Sequence, residues 1–297
     1  MRYYPSMDWL PRFQPNNSLI STLRYFDRFD YPLTLDEIWF WQPYTFYHKN
    51  LFMSWQSSYQ GYFFLKHRST LVGLRQSRLK ISKNKLLLAS SISRMLSIIP
   101  SIKAIFITGA LAMNNSPKND DIDIMLIVDP YTLWLTRAIV VLLLSAKGLR
   151  RPSHLPEHSS LLVKDKICDN LYLDLNHIHI NHLPINESPI NQSTNLYLAH
   201  EILQAKCIYD QGGVHYQLLS ANSWIKKYLP VAYRETIKQI KPTSTSCQLQ
   251  AKSLKLILFT VNCLLFTFQY IFMRPRLTGE KVGLGYAFFH PRPLWYY

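Results

Sequence analysis

Two carboxylates two residues apart, Asp121 and Asp123, open an apolar run that continues through Ile-Met-Leu-Ile to Val128. Ten residues upstream, a second apolar run from Ile105 to Thr108 ends in Gly109-Ala110. Side chains alternate between faces along a strand, so Asp121 and Asp123 project together while Ile122, Ile124, Leu126 and Val128 face a core. Like charges placed together at the start of a strand repel one another unless a divalent cation lies between them. Mg²⁺ is the natural ion. A glycine just before such a pair lets an anionic group approach the backbone N–H groups of Thr108, Gly109 and Ala110.

The elements that position these residues read as strand, polar loop, strand, followed by a later strand, Asn-Leu-Tyr-Leu-Asp-Leu-Asn-His-Ile. There Leu171, Leu173 and Leu175 alternate with Tyr172, Asp174 and Asn176, which puts Asp174 on the polar face. An apolar strand ending in a glycine turn, a spacer of this length, Asp-x-Asp in a second strand and an acid on a third resemble the nucleotidyltransferase superfamily that includes DNA polymerase β. The runs 23–34, 108–115, 164–168, 195–204 and 287–291 are similar to a group of bacterial nucleotidyltransferase-domain proteins. The resemblance covers about residues 20 to 291.

It implies an α+β fold: a nucleotidyltransferase-type mixed sheet with flanking helices, an N-terminal winged-helix-like module and a C-terminal helical region. It further implies Asp121, Asp123 and Asp174 as catalytic and metal-binding residues, holding two Mg²⁺ ions, with Mn²⁺ as an alternative. The reaction would transfer a nucleoside monophosphate from a nucleoside triphosphate to a hydroxyl of a protein, RNA or small molecule, releasing pyrophosphate. Thr108, Gly109, Ala110, Asn114, Lys164 and Lys166 are the expected nucleotide-binding residues. Ala110 stands where the family carries Ser or a second Gly, so only backbone donors remain at that position. The competing expectation is a weakened member of the fold that binds nucleotide or nucleic acid without transfer.

Composition sets the wider frame. The 297 residues are 48% hydrophobic and 14% aromatic, which excludes a disordered chain and suffices for two or three compact units. Lys and Arg outnumber Asp and Glu by 33 to 18. The excess suits a polyanionic partner such as a triphosphate, a nucleic acid or an acidic membrane, although a merely soluble basic surface fits as well. The four cysteines are scattered, with no Cys-x-x-Cys pair, which argues against zinc and disulfides. With no secretory signal at the N-terminus, the expected location is cytoplasmic.

Along the chain, residues 1–17 read as an arm, 18–80 as the winged-helix-like module, 81–185 as the catalytic domain and 190–297 as the helical region. Leu19 to Phe26 has helical spacing, and Thr34 with Glu37 forms a capping box for a second helix. A third helix is expected near Phe46 to Gln56, then a hairpin strand over Tyr59 to Arg68. Lys66, His67 and Arg68 on that wing would touch DNA or serve only as a docking platform. The basic stretch Arg75 to Lys85 reads as a linker leading into a helix from Ser82 to Ile99, with Ser82 as N-cap.

A helix from Leu133 to Ala146, capped by Thr132, is too short to span a bilayer. Arg137 within it either snorkels or reaches the phosphate site. Ser159 to Val163 reads as a strand and Lys164-Asp165-Lys166 as either a phosphate contact or a turn. His177 and His179 are expected to extend the Asp174 strand on its other face. Helices are expected over 194–209 and 214–228, the second stopped by Pro230. Leu256 to Met273 carries no charge and approaches membrane-spanning length. Burial against the other domains is the first reading and membrane attachment, with Arg274 and Arg276 as flank, the second.

Overall fold

In a computed structural model of the chain, residues 18–43, 56–152, 160–180, 192–240, 252–277 and 280–289 are described. The N-terminal arm and the helix expected near Phe46 to Gln56, save Gln56 itself, lie outside them. The described elements begin with α1 (Ser18–Asp27), β1 (Leu33–Thr34), α2 (Leu35–Trp41), β2 (Gln56–Tyr59), β3 (Tyr62–Leu65) and α3 (Leu71–Leu96). Next come β4 (Ile102–Ile107), α4 (Gly109–Ala112), β5 (Ile122–Val128), α5 (Leu133–Ala146), α6 (Ser160–Val163) and β6 (Ile167–Asp174). The chain continues with α7 (Gln192–Gln204), β7 (Lys206–Asp210), α8 (Val214–Ala221), α9 (Pro230–Gln239), α10 (Lys252–Met273), β8 (Lys281–Val282) and β9 (Tyr286–Phe288).

The capping box forms as the sequence predicts: Glu37 N donates to Thr34 Oγ1, and the Glu37 carboxylate accepts from Thr34 N at 2.8 Å. The small antiparallel sheet has order β1-β3-β2, and its hairpin turns at Gln60-Gly61, both with positive φ. Arg68 is held by Asp27 at 2.7 Å and Asp30 at 2.5 Å, and Arg75 pairs with Glu37 at 2.6 Å while lying over the Tyr31 ring. Arg68 after β3 and Arg75 in the first turns of α3 thus bind the N-terminal elements to one another. α3 is one continuous helix across the expected boundary at residue 80, because nothing from Leu71 to Leu96 breaks it. Ser82 lies buried in mid-helix and accepts from Ser116 N, so it is not a cap.

The main sheet is mixed, with strand order β7-β4-β5-β6-β9-β8. β4 and β5 are antiparallel, and β5 and β6 are parallel. Ile105, Ile107, Ile124, Leu126 and Tyr172 pack on one face, toward α3 and α5; Phe106, Met125, Ile127 and Leu173 pack on the other, toward α7, α8 and α9. Both faces are covered, so these strands read as continuous apolar runs rather than as alternation. Each fully buried Ile, Leu or Phe contributes on the order of 1.5–3 kcal/mol.

The C-terminal region is not purely helical. Lys206–Asp210, expected as far as Tyr209 to be the end of a helix, forms an edge strand, and β8 and β9 complete the other edge. Pro230 begins α9 instead of ending the preceding helix, since its fixed φ and missing N–H suit the first turn. The 160–163 segment is one helical turn rather than a strand.

α10 is the larger departure. Among the described residues, Lys255–Met273 is the one helix long and apolar enough to cross a membrane, with mean hydropathy 1.9, yet only 6% of it is buried. The expectation of a buried helix is corrected: only a narrow stripe of it is seated, by polar rungs. Asn262 Oδ1 accepts from Trp134 N at 2.8 Å, Asn262 Nδ2 donates to Leu284 O, and Gln269 bridges Trp134 O and Arg137. Arg137 thus neither reaches solvent alone nor serves a phosphate; it lies between Gln269 and the Phe289 ring.

Candidate functional site

The antiparallel pairing of β4 and β5 brings the C-terminal end of β4 beside the start of β5. Gly109 turns the chain there with φ +61°, and a Cβ on it would sit 2.7 Å from Asp123 Oδ2. Only a residue without a side chain allows this backbone to lie against that carboxylate. Thr108 N donates to Asp123 O at 3.1 Å, which ties the turn to the acid's own strand. Asp121, Asp123 and Cys168 each offer a ligand atom, and these atoms lie within 4.8 Å of one another.

Asp174 is absent from this group. The parallel register sets Cys168 beside Asp123 but Asp174 beside Val128, so five residues of strand, roughly 16 Å, separate Asp174 from Asp123. The expectation that Asp174 completes the catalytic and metal-binding set is therefore corrected. Its carboxylate accepts from Asn176 N at 3.0 Å and meets His177 Nδ1 at 2.6 Å, and its own N–H donates to Gly285 O. Strand β6 ends at Asp174, so His177 folds back onto the acid instead of extending the strand away from it. Asp174→Asn should lower the melting temperature yet leave Mn²⁺ affinity within about twofold of wild type, because distant sites act independently.

In its place stands a residue that strand alternation hides. Between the pairs Asp123–Cys168 and Met125–Leu171, one residue of β5 faces two of β6. This bulge turns Asp169 and Asn170 apart. Asp169 goes to Arg150 (2.7 Å) and the Tyr172 hydroxyl (3.0 Å), while Asn170 Nδ2 donates to Asp123 Oδ1 at 2.7 Å. The third position beside the pair thus carries an amide.

Two more residues complete the cluster. Asp120, adjacent to the expected pair, lines the same cavity as Asp123. Arg151, from the loop before α6, donates to Asp121 Oδ2 at 2.6 Å while its own side chain remains partly exposed. Burial pushes the Asp123 carboxyl up to about 8, with Asp121 and Asp120 adding to the shift. Burial, then Asp121, raises Asp120 to about 6, against the pull of Lys85. Burial and the neighbouring Asp123 and Asp121 also hold the Cys168 thiol protonated, so the hard donors of the cluster are carboxylate oxygens.

The cavity behind the glycine turn measures about 480 Å³. Thr108, Gly109, Ala110 and Asn170 line it on the sheet side, Arg28 and Arg78 on the N-terminal side, and Glu201 on α7. Asp30 adds a carboxylate beside the two arginines, and Met113, Met125, Leu171, Ile180, Leu198 and Phe288 give it an apolar side. Of the other expected nucleotide contacts, Asn114 faces away and accepts from Lys206 Nζ at 2.6 Å. The next residue, Asn115, takes its place on the cavity, donating to Phe29 O and accepting from Arg78. Lys164 is exposed in a turn and Lys166 Nζ donates to Gly148 O, so neither lines the cavity. Arg28, Arg78 and Glu201 come from elements that fold over the sheet, so no local motif marks them.

Glu201 and His200 sit side by side on α7 in unlike surroundings. His200 stacks on Tyr25 at 3.8 Å and burial lowers its pKa to about 3; burial raises Glu201 to about 7, partly offset by the Tyr197 hydrogen bond. The unfolded glutamate ionises above about 4.5, whereas the folded one keeps its proton to about 7, so this group lowers stability as pH rises through that window. Glu201→Gln should melt several degrees higher than wild type at pH 8 and at the same temperature at pH 4, as read by thermal denaturation.

No protein-family model matches the chain, and no curated protein matches it.

Proposed function

We propose that the chain is a nucleotidyltransferase-type protein that binds a nucleoside triphosphate through one divalent cation and has little capacity for transfer. The observation that carries the reading is the Asp123 carboxylate lying against the side-chain-free backbone of Gly109 in the cavity wall, with Asp121 beside it. Asp121 is buried and Asp123 half-buried; Arg151 is bonded to the first alone, and a divalent cation between them would satisfy both. The order α3, β4, glycine turn, β5, α5, β6 in a mixed sheet supports the fold assignment. The residues fit one ion of oxygen preference, Mg²⁺ or Mn²⁺, held by Asp121 and Asp123. When bound, such an ion would neutralise triphosphate oxygens.

The protein's own residues supply the rest. The Gly109–Ala110 backbone admits the phosphates, Arg28 and Arg78 balance their charge, and the apolar wall takes a base or an apolar acceptor group. Arg151 neutralises Asp121 in this structure, and a bound ion would take over that role. Asn170 cannot contribute a carboxylate, and that is why transfer is weak in this reading. Three free thiols among the described residues, Cys168, Cys207 and Cys263, suit a cytoplasmic location.

A second reading, transfer of the nucleotide to a hydroxyl acceptor, is favoured by Asp120, an acid next to Asp121 that lines the cavity with Asp123. One experiment separates the two. Labelled triphosphates are incubated with Mg²⁺ or Mn²⁺, and both binding and pyrophosphate release are followed in the wild type and in Asp121→Asn/Asp123→Asn. Cation-dependent binding without release, lost in the double variant, is the expected result. Release that Asp120→Asn abolishes would establish transfer instead.

A further inference from the structure

The outer face of α10 has no role in the site. Seen down the helix, Asn262, Leu265, Phe266, Gln269 and Met273 recur at three- and four-residue spacing toward the body of the protein. Leu256, Ile257, Leu264, Phe268, Ile271 and Phe272 face outward, each between 59% and 67% exposed. The usual pattern of a surface helix is inverted, with amides inward and large apolar side chains outward. Exposed apolar surface of this extent on one helix marks contact with something apolar.

Charge identifies the partner. No Asp or Glu occurs between Glu235 and Glu280, while Lys238, Lys241, Lys252, Lys255, Arg274 and Arg276 do. Lys255 and Arg274 are exposed at the two ends of the apolar face. An apolar face framed by cations and devoid of anions fits the headgroup boundary of an anionic bilayer. A spanning orientation would draw Asn262 and Gln269 away from Trp134 into hydrocarbon and break four hydrogen bonds.

We propose that α10 lies in the plane of an anionic membrane surface, with its outer apolar face in the lipid and its inner stripe still bonded to α5 and the β8–β9 turn. The protein is thereby a peripheral membrane protein whose catalytic-type sheet stays in water.

The test is co-flotation of the full-length protein with phosphatidylcholine vesicles containing or lacking phosphatidylserine. Flotation with the anionic vesicles, weakened by salt and released by alkaline carbonate, is the expected outcome. Leu264→Glu/Phe268→Glu should reduce binding at least about tenfold without changing the melting temperature, since both side chains are exposed. Arg274→Gln/Arg276→Gln should weaken binding to anionic vesicles alone. Absence of flotation overturns the proposal. If the wild type is then a dimer that Leu264→Glu/Phe268→Glu makes monomeric, a second copy covers the face; if it is a monomer, the chain's own segments 241–251 or 290–297 do. Flotation that resists carbonate overturns the in-plane arrangement, because it requires a spanning helix.

Discussion

Replacing Asn170 with Asp should make the protein's stability depend on a divalent cation. In chelator, Asn170→Asp removes the amide donor to Asp123 and adds a further carboxyl group to a cluster of acids, at a cost of about 1–3 kcal/mol. Adding Mn²⁺ or Mg²⁺ should recover that loss and raise the melting temperature above the gain seen for the wild type. On the proposed function a further effect follows: pyrophosphate release should be higher in the variant than in the wild type, and Ala110→Ser should add to it by placing a hydroxyl beside the phosphates. A variant equally unstable with and without cation would mean that no ion lies between Asp121 and Asp123.

Gly109→Ala should be the most damaging single substitution at the site. The left-handed φ of +61° disfavours any residue with a Cβ, and that Cβ would meet Asp123 Oδ2 at 2.7 Å. Together these cost roughly 3 kcal/mol in stability. The clash displaces the carboxylate, so cation-dependent nucleotide binding should be lost even in the fraction that remains folded. Ala110→Gly, one residue on, meets no such constraint and should leave both properties near wild type. Thermal denaturation with and without Mn²⁺, followed by nucleotide titration, checks both variants.

The parts of this site visible in the sequence are those fixed by short-range rules. Alternation places Asp121 and Asp123 together, the glycine marks the turn, and Thr34 with Glu37 announces a helix start. Sequence reasoning misplaces Asp174 because the direction of β6 and its bulge are not local properties. In the alternating pattern of 171–176 Asp174 looks well placed, but a parallel β6 carries it to the far end of the sheet. Asn170 faces Asp123 only because one residue of β5 opposes two of β6, and no spacing in β6 alone reveals that. Arg78 is visible only as a member of a basic stretch and Arg151 is not marked at all, since the acids and carbonyls they meet lie 30 and more residues away.

The segment 206–210 illustrates the opposite error. Cys207, Ile208 and Tyr209 continue the apolar spacing of the preceding helix, yet pairing with β4 draws them into a sheet edge. For α10 the run of uncharged residues conveyed length but not facing. Which side turns inward is decided by Asn262 and Gln269, whose partners are backbone groups more than a hundred residues upstream and, for Leu284, just downstream.

The account rests on a cation shared by Asp121 and Asp123 beneath a triphosphate, and a titration tests it most directly. Fluorescent nucleoside triphosphate is added to the wild type in chelator and again in Mn²⁺, and the same pair of titrations is run on Asp123→Asn. Saturable binding in Mn²⁺, absent in chelator and absent from Asp123→Asn under either condition, is the predicted result. Binding of equal strength with and without Mn²⁺, or unchanged by Asp123→Asn, would contradict the account.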